Sequence, residues 1–189
     1  MLEFQDMKIV YLGNISSVAE ALAREDGVRL VACIYEDEVD AEAMLRLSQR
    51  LGCELFRVKS AEDLLVALEE IQPCDLGVIA NFGIVLGESH LALARNGFVN
   101  AHPGFLPENA GRFPVRRTLE KGECLTALTL HRVTPQVDAG PFIARAITTV
   151  APSDKHDTLL NRIFGLAPHL IIECIRQIRS PQRAQVISK

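Results

Sequence analysis

Asn100, His102 and Asp138 lie in one stretch that reads N-A-H-P-G-F-L-P from Asn100, G-R-F-P from Gly111 and H-R-V-T-P-Q-V-D-A-G-P from His131. An amide donates hydrogen bonds, an imidazole gives or takes a proton, and a carboxylate sets the charge and tautomer of an imidazole. The three together suit attack on a carbonyl, where donors must meet the negative charge that develops on oxygen. Asn100 and His102 are two apart, so on extended chain their side chains leave the same face. Pro103 biases His102 to extended backbone, and P-G-F-L-P is a stiff loop able to hold groups around a ligand. Taken singly, the pair is a strand end and Asp138 a turn acid before Gly140. Asp138 gains meaning from its place between two predicted strands, where a loop returns it to the sheet.

The elements that must position these groups follow from pattern. M-K-I-V-Y-L-G (Met7 to Gly13) predicts a strand, and Ser16 to Arg24 a helix. Further strands are predicted at Arg29 to Tyr35, Glu54 to Val58, Asp75 to Asn81 and Gly97 to Ala101. Helices are predicted from Asp40, its cap, to Leu51 before Gly52, and from Ser60, its cap, to Ile71 before Pro73. A brief helix is expected near Leu91, and another near Arg116. This alternation implies an α/β, Rossmann-like, mostly parallel sheet flanked by helices, with right-handed crossovers. Thr126 to Val133 and Pro141 to Val150 are expected to pair antiparallel near the C-terminal part of the sheet. A last helix is predicted from about Asp154 to Ile178, kinked or interrupted at Pro168. Residues 1–178 read as one domain and 179–189 as a mobile tail. Ligands of such sheets sit beyond the carboxyl ends of the strands, the edge on which Asn81, Asn100 and His102 fall.

Composition narrows the chemistry. With 189 residues and 48% hydrophobic content, the chain is long enough for one well-buried core. A net charge of -4 provides no basic footprint, so a nucleic-acid partner is not indicated and small-molecule chemistry is the default. Cys33, Cys53, Cys74, Cys124 and Cys174 have neither C-x-x-C nor metal-ligand spacing, which predicts buried free thiols and a reducing compartment. No stretch reads as about 18 consecutive apolar residues, and M-L-E-F-Q-D lacks a signal peptide's basic start. A cytoplasmic protein without a membrane partner is expected; the oligomeric state stays open.

The segment from Phe98 to Ile147 resembles the catalytic core of the folate-dependent formyltransferases, which act on methionyl-tRNA, glycinamide ribonucleotide or sugar nucleotides. The resemblance rests on the N-x-H pair Asn100 and His102, on Leu106-Pro107 with the later Gly111, and on the D-x-G pair Asp138 and Gly140. The first strand is also similar to the family's. The resemblance implies N10-formyltetrahydrofolate as formyl donor and an amine as acceptor. It makes Asn100 and His102 oxyanion donors, and Asp138 the partner of His102 that helps remove the amine proton through water. It implies a pterin held largely by main chain along Asn81 to Leu86, with folate contacts at Phe82, Gly83, Leu86, Val137 and Ala139. Gly104 and Arg112 would contact the acceptor.

Departures from the family bear on that acceptor. Gly104 stands where the family usually has Ser, and Glu108-Asn109-Ala110 where many members carry Lys or Arg. Ile15 interrupts the Gly/Ser-rich phosphate turn of the glycinamide ribonucleotide branch, and the chain stops soon after its last predicted helix, short of a tRNA-holding domain. The expected acceptor is therefore a small-molecule primary amine, foremost an amino-sugar nucleotide. Methionyl-tRNA, glycinamide ribonucleotide and a hydroxylamine or amino-acid-derived amine are the alternatives. A non-catalytic folate-binding module is the alternative of another class. A nucleotide-binding dehydrogenase is disfavoured because no G-x-G-x-x-G follows the first strand. His131, inside a Thr/Leu/Val strand, reads as structural.

Overall fold

The computed structural model describes residues 5–37 and 39–179. Its strands are β1 (Met7–Gly13), β2 (Val28–Glu36), β3 (Glu54–Val58), β4 (Leu76–Ala80), β5 (Phe98–His102), β6 (Leu125–Arg132) and β7 (Phe142–Thr149). They form one sheet in the order β3-β2-β1-β4-β5-β6-β7. The first five run parallel, and β6 is antiparallel to β7, as the pattern predicts. It is also antiparallel to β5, a reversal set by long-range pairing that local pattern does not carry.

Ile9 and Tyr11 of β1 enter one core layer with α1 (Ser16–Arg24), α2 (Ala41–Leu51), α6 (His156–Phe164) and α7 (Ala167–Arg179). Val10 and Leu12 enter the other, with α3 (Ala61–Glu70) and α4 (Glu88–Leu91). A strand buried on both faces has to be apolar throughout, which is why M-K-I-V-Y-L-G shows no alternation. Helix ends fall where their capping chemistry puts them. Asp40 accepts from the Glu42 and Ala43 amides, Gly52 takes φ +67 to end α2, and Ser60 accepts from the Asp63 amide.

The last helix departs from expectation. It is two helices: α6 ends at Phe164, and α7 starts at Ala167. Gly165 and Leu166 make the break, while Pro168 lies in the first turn of α7, where its missing N–H has no helical partner to lose. Taken together, His156–Arg179 are long and apolar enough by composition to span a membrane. Their apolar side, including Leu159, Ile163, Ile171 and Ile175, packs into the core. All five cysteines are free thiols; Cys33, Cys74 and Cys174 are buried as predicted, but Cys53 is half-buried and Cys124 exposed. The expected tail beyond Arg179 lies outside the described residues.

One further helix, α5 (Pro114–Glu120), stands in the connection between β5 and β6. Phe113 caps it in the left-handed region, at φ +62.

Candidate active site

Phe98, Asn100 and His102 leave one face of β5. Phe98 goes into the core, Asn100 is half-buried, and His102 is 4% exposed. The antiparallel register sets His131 of β6 directly opposite Asn100, on the same face. There the Asn100 Nδ2 and His131 Nε2 are 3.2 Å apart. His131 Nδ1 lies 2.8 Å from the Arg132 carbonyl. A carbonyl only accepts, so His131 donates to it through Nδ1–H, and its Nε2 is left facing Asn100 and Asp138.

Asp138 reaches this group by a route the sequence leaves open. The β6–β7 connection leaves the sheet beside the start of β5, where the Val133 amide donates to the Phe98 carbonyl, then folds back toward Asn100 and His102. Gly140 permits the fold: a Cβ there would lie 1.8 Å from the Arg132 carbonyl oxygen. Asp138 itself takes φ +52, a left-handed backbone. Asn81, Phe113 and Asp138 are the non-glycine residues with positive φ among the described residues, and all three line one cleft. Backbone in such sparsely populated conformations collects at functional sites.

The Asp138 Oδ2 lies 3.3 Å from His102 Nδ1, and its Oδ1 lies 3.4 Å from His131 Nε2 and 3.5 Å from the Asn100 amide nitrogen. The Gly111 amide donates to Oδ2 at 2.8 Å. Burial acts to raise the Asp138 pKa, but the neighbouring His131 and His102 and the Gly111 amide outweigh it and hold the carboxyl below the usual range. Asp138 is thus ionised near neutral pH. Burial holds the His102 imidazole below its ordinary value, against the opposing pull of Asp138 and of the Asn109 carbonyl. His102 Nε2 lies 2.9 Å from that carbonyl and donates to it. Its proton is thereby assigned to Nε2, and Nδ1 is the nitrogen left to face Asp138 and the cleft.

The cleft has a volume of about 510 Å³. Asn100, His102, Asp138, Phe82, Gly83, Leu86, Val137 and Arg112 all line it, as the sequence reading proposed. Two proposed contacts do not. Gly104 is buried behind the wall, its carbonyl accepting from Thr129 Oγ1 at 2.7 Å, and a Cβ there would meet Asn109 Cβ at 3.0 Å. Ala139 is exposed and outside the lining, because the turn that aims Asp138 inward aims its neighbour away. His131, read as structural, lies against both Asn100 and Asp138.

Other residues were missed. Asn14 and Glu36 line the cleft just beyond or at the carboxyl ends of β1 and β2, the edge rule that picked out Asn81. The Asn81 amide donates to Asn14 Oδ1 at 2.8 Å, and the Gly83 amide donates to Glu36 Oε2 at 2.7 Å. Tyr11, its hydroxyl kept protonated by burial, ties the Ile15 amide (2.8 Å) and the Ala80 carbonyl (3.3 Å) together beneath them.

The family model described as Formyl transferase matches residues 31–175. The chain is 33% identical over 186 residues to a methionyl-tRNA formyltransferase of Thermotoga maritima, covering 92% of this chain and 59% of that protein. It is 28% identical over 181 residues to the methionyl-tRNA formyltransferase of Chloroflexus aggregans, covering 89% and 58%. The chain thus spans about three fifths of the length of these relatives. Among solved structures it superposes on glycinamide ribonucleotide transformylase 1 from Symbiobacterium toebii with a TM-score of 0.79 and 25% identity, covering 93% of this chain and 88% of that one. It superposes on phosphoribosylglycinamide formyltransferase from Bacillus halodurans with a TM-score of 0.78 and 20% identity, covering 92% and 95%, a likeness of fold. Because the family match takes in β5, β6 and β7 and every residue gathered around Asp138, this chain belongs to the formyl transferase family.

Proposed function

We propose that this chain catalyses transfer of a formyl group from N10-formyltetrahydrofolate to a primary amine. The observation that carries the reading is the convergence of Asn100, His102 and Asp138 within 3.5 Å contacts at one end of a cleft, although Asp138 lies 36 positions beyond His102. We place a flat heterocycle against the Asn81–Leu86 run of the lining, where Leu86 is buried and Val85 exposed, with exposed Val137 also in the lining.

The bound folate supplies an activated formyl carbon. In the transfer, the amine nitrogen bonds to that carbon, the bond from carbon to N10 breaks, and N10 takes up a proton as the amine gives one away. The Asn100 amide stabilises the negative charge on the carbonyl oxygen, and loss of such a donor typically costs about 3 kcal/mol. His102 Nδ1 takes the amine proton, directly or through a water, and ionised Asp138 stabilises the imidazolium so formed. His131 holds the Asn100 amide in place through Nε2.

A small-molecule amine is the acceptor class favoured by the acidic balance of -4. The foremost sequence expectation, an amino-sugar nucleotide, has no counterpart among the relatives named above. Methionyl-tRNA is the second reading, because sequence relatives matched over 92% of this chain act on it by name. The test is to follow tetrahydrofolate release with a panel of methionyl-tRNA, glycinamide ribonucleotide, amino-sugar nucleotides and simple amines. Amine-dependent release abolished by Asn100→Ala supports the reading. Folate binding without turnover on any amine would establish a binding module instead.

A further inference from the structure

We propose that Arg117 is a positioning residue for the reacting pair: it curls the backbone from Asn109 to Arg112 around its guanidinium, so that the Asn109 carbonyl meets His102 and the Gly111 amide meets Asp138. The inference rests on the proposed roles of His102 and Asp138. Arg117 stands one turn into α5, its own amide bonded to the Phe113 carbonyl at 3.1 Å. Its Nη2 lies 2.7 Å from both the Asn109 and Ala110 carbonyls and 3.5 Å from that of Gly111, and Nη1 donates to the Arg112 carbonyl.

Four successive carbonyls turned toward one cation leave the intervening amides free to face elsewhere. The Gly111 amide then lies 2.8 Å from Asp138 Oδ2, and Gly111 adopts φ +85, a conformation that glycine reaches without strain. The Asn109 carbonyl spends one lone pair on Arg117 and the other on His102 Nε2–H at 2.9 Å. Among the described residues no carboxylate lies within ion-pair distance of Arg117, so its bonding goes to this loop. An arginine fork suits the task because several fixed donors diverge from one plane, whereas lysine offers a single point of charge.

Histidine nitrogen NMR on the whole protein without ligands tests this, with the His102 signal identified by its absence in His102→Gln. In the native protein His102 should carry its proton on Nε2. Arg117→Leu should give a mixture of tautomers and a shifted His102 titration while the circular dichroism stays native. Arg117→Lys, which keeps the charge and loses the fork, should show the same tautomer mixing and serves if the leucine variant fails to fold. In formyl-transfer assays kcat should fall by about tenfold, with KM for folate nearly unchanged and the pH profile displaced. An unchanged His102 tautomer and titration in Arg117→Leu would overturn the proposal. So would a fully native lysine variant, which would reduce Arg117 to a source of charge. Absence of transfer by the native protein would defeat the formyl-transfer reading and leave the NMR result to decide the role of Arg117.

Discussion

The two walls of the cleft are both main chain held by side chains from elsewhere, but their anchors touch different things. The Asn81–Leu86 wall is tied by Asn14 and Glu36, at the ends of β1 and β2, and its pinned groups lead to no reacting side chain. The Pro103–Arg112 wall is tied by Thr129 to the Gly104 carbonyl, by Arg145 to the Leu106 carbonyl at 2.8 Å, and by Arg117. Arg145 is itself stacked between Phe105 and Phe142, at 5.1 and 5.3 Å. Backbone groups of this second wall bond directly to His102 and Asp138. The first wall should therefore govern binding and the second turnover.

The sharpest test is removal of a reacting group. Asn100→Ala or His102→Ala should lower kcat by about 10²–10³-fold, the cost of an oxyanion donor or general base, with folate affinity within a few-fold by titration calorimetry. A large loss of folate affinity instead would erase the division between the walls. Next, Gly140→Ala should destabilise the fold by about 2 kcal/mol or more, read from the urea midpoint, because its Cβ would overlap the Arg132 carbonyl oxygen at 1.8 Å.

The pH response follows from His102. In the proposed mechanism its neutral form takes the amine proton, and its pKa lies below the ordinary 6.5, so kcat/KM should be level above that value. It should then fall by up to about tenfold per pH unit as pH drops through the lowered pKa. Stability has the same sign. A histidine whose folded pKa is depressed contributes stability that is present above the unfolded value and lost as pH falls through the folded one. Activity lost on raising the pH through this range would instead mean a resting imidazolium.

On the binding wall, Glu36→Gln should weaken folate binding by about three- to tenfold, leaving kcat nearly native, since it swaps a charged acceptor of the Gly83 amide for a neutral one. A drop in kcat of that size would break the comparison. The smallest effect belongs to Val85→Ala, an exposed rim residue, which should change stability by under about 0.5 kcal/mol.

Much of this was legible before the structure. Asp40, Gly52 and Ser60 marked helix ends because capping is a contact between residues two to five apart. Asn100 and His102 were legible as a pair for an equally local reason, the two-residue alternation of extended chain. Gly104 was misread because its neighbours, Asn109 and Thr129, are brought up by folding; it serves the wall from behind. The place of His131 beside Asn100 was not legible, because an antiparallel register between strands separated by a long connection has no local signature.

The sequence by itself determined the kinds of elements, the face shared by Asn100 and His102, and the presence of a carboxylate and a glycine, Asp138 and Gly140, in the loop after β6. Only the tertiary structure decided which imidazole nitrogen faces Asp138, which second histidine lies against the Asn100 amide, and which arginine bonds to the loop between His102 and Asp138. Periodicity and caps act over a few residues and are written in their order. The Asp138 contacts join groups from three separate segments, each placed by burial and pairing of the whole sheet.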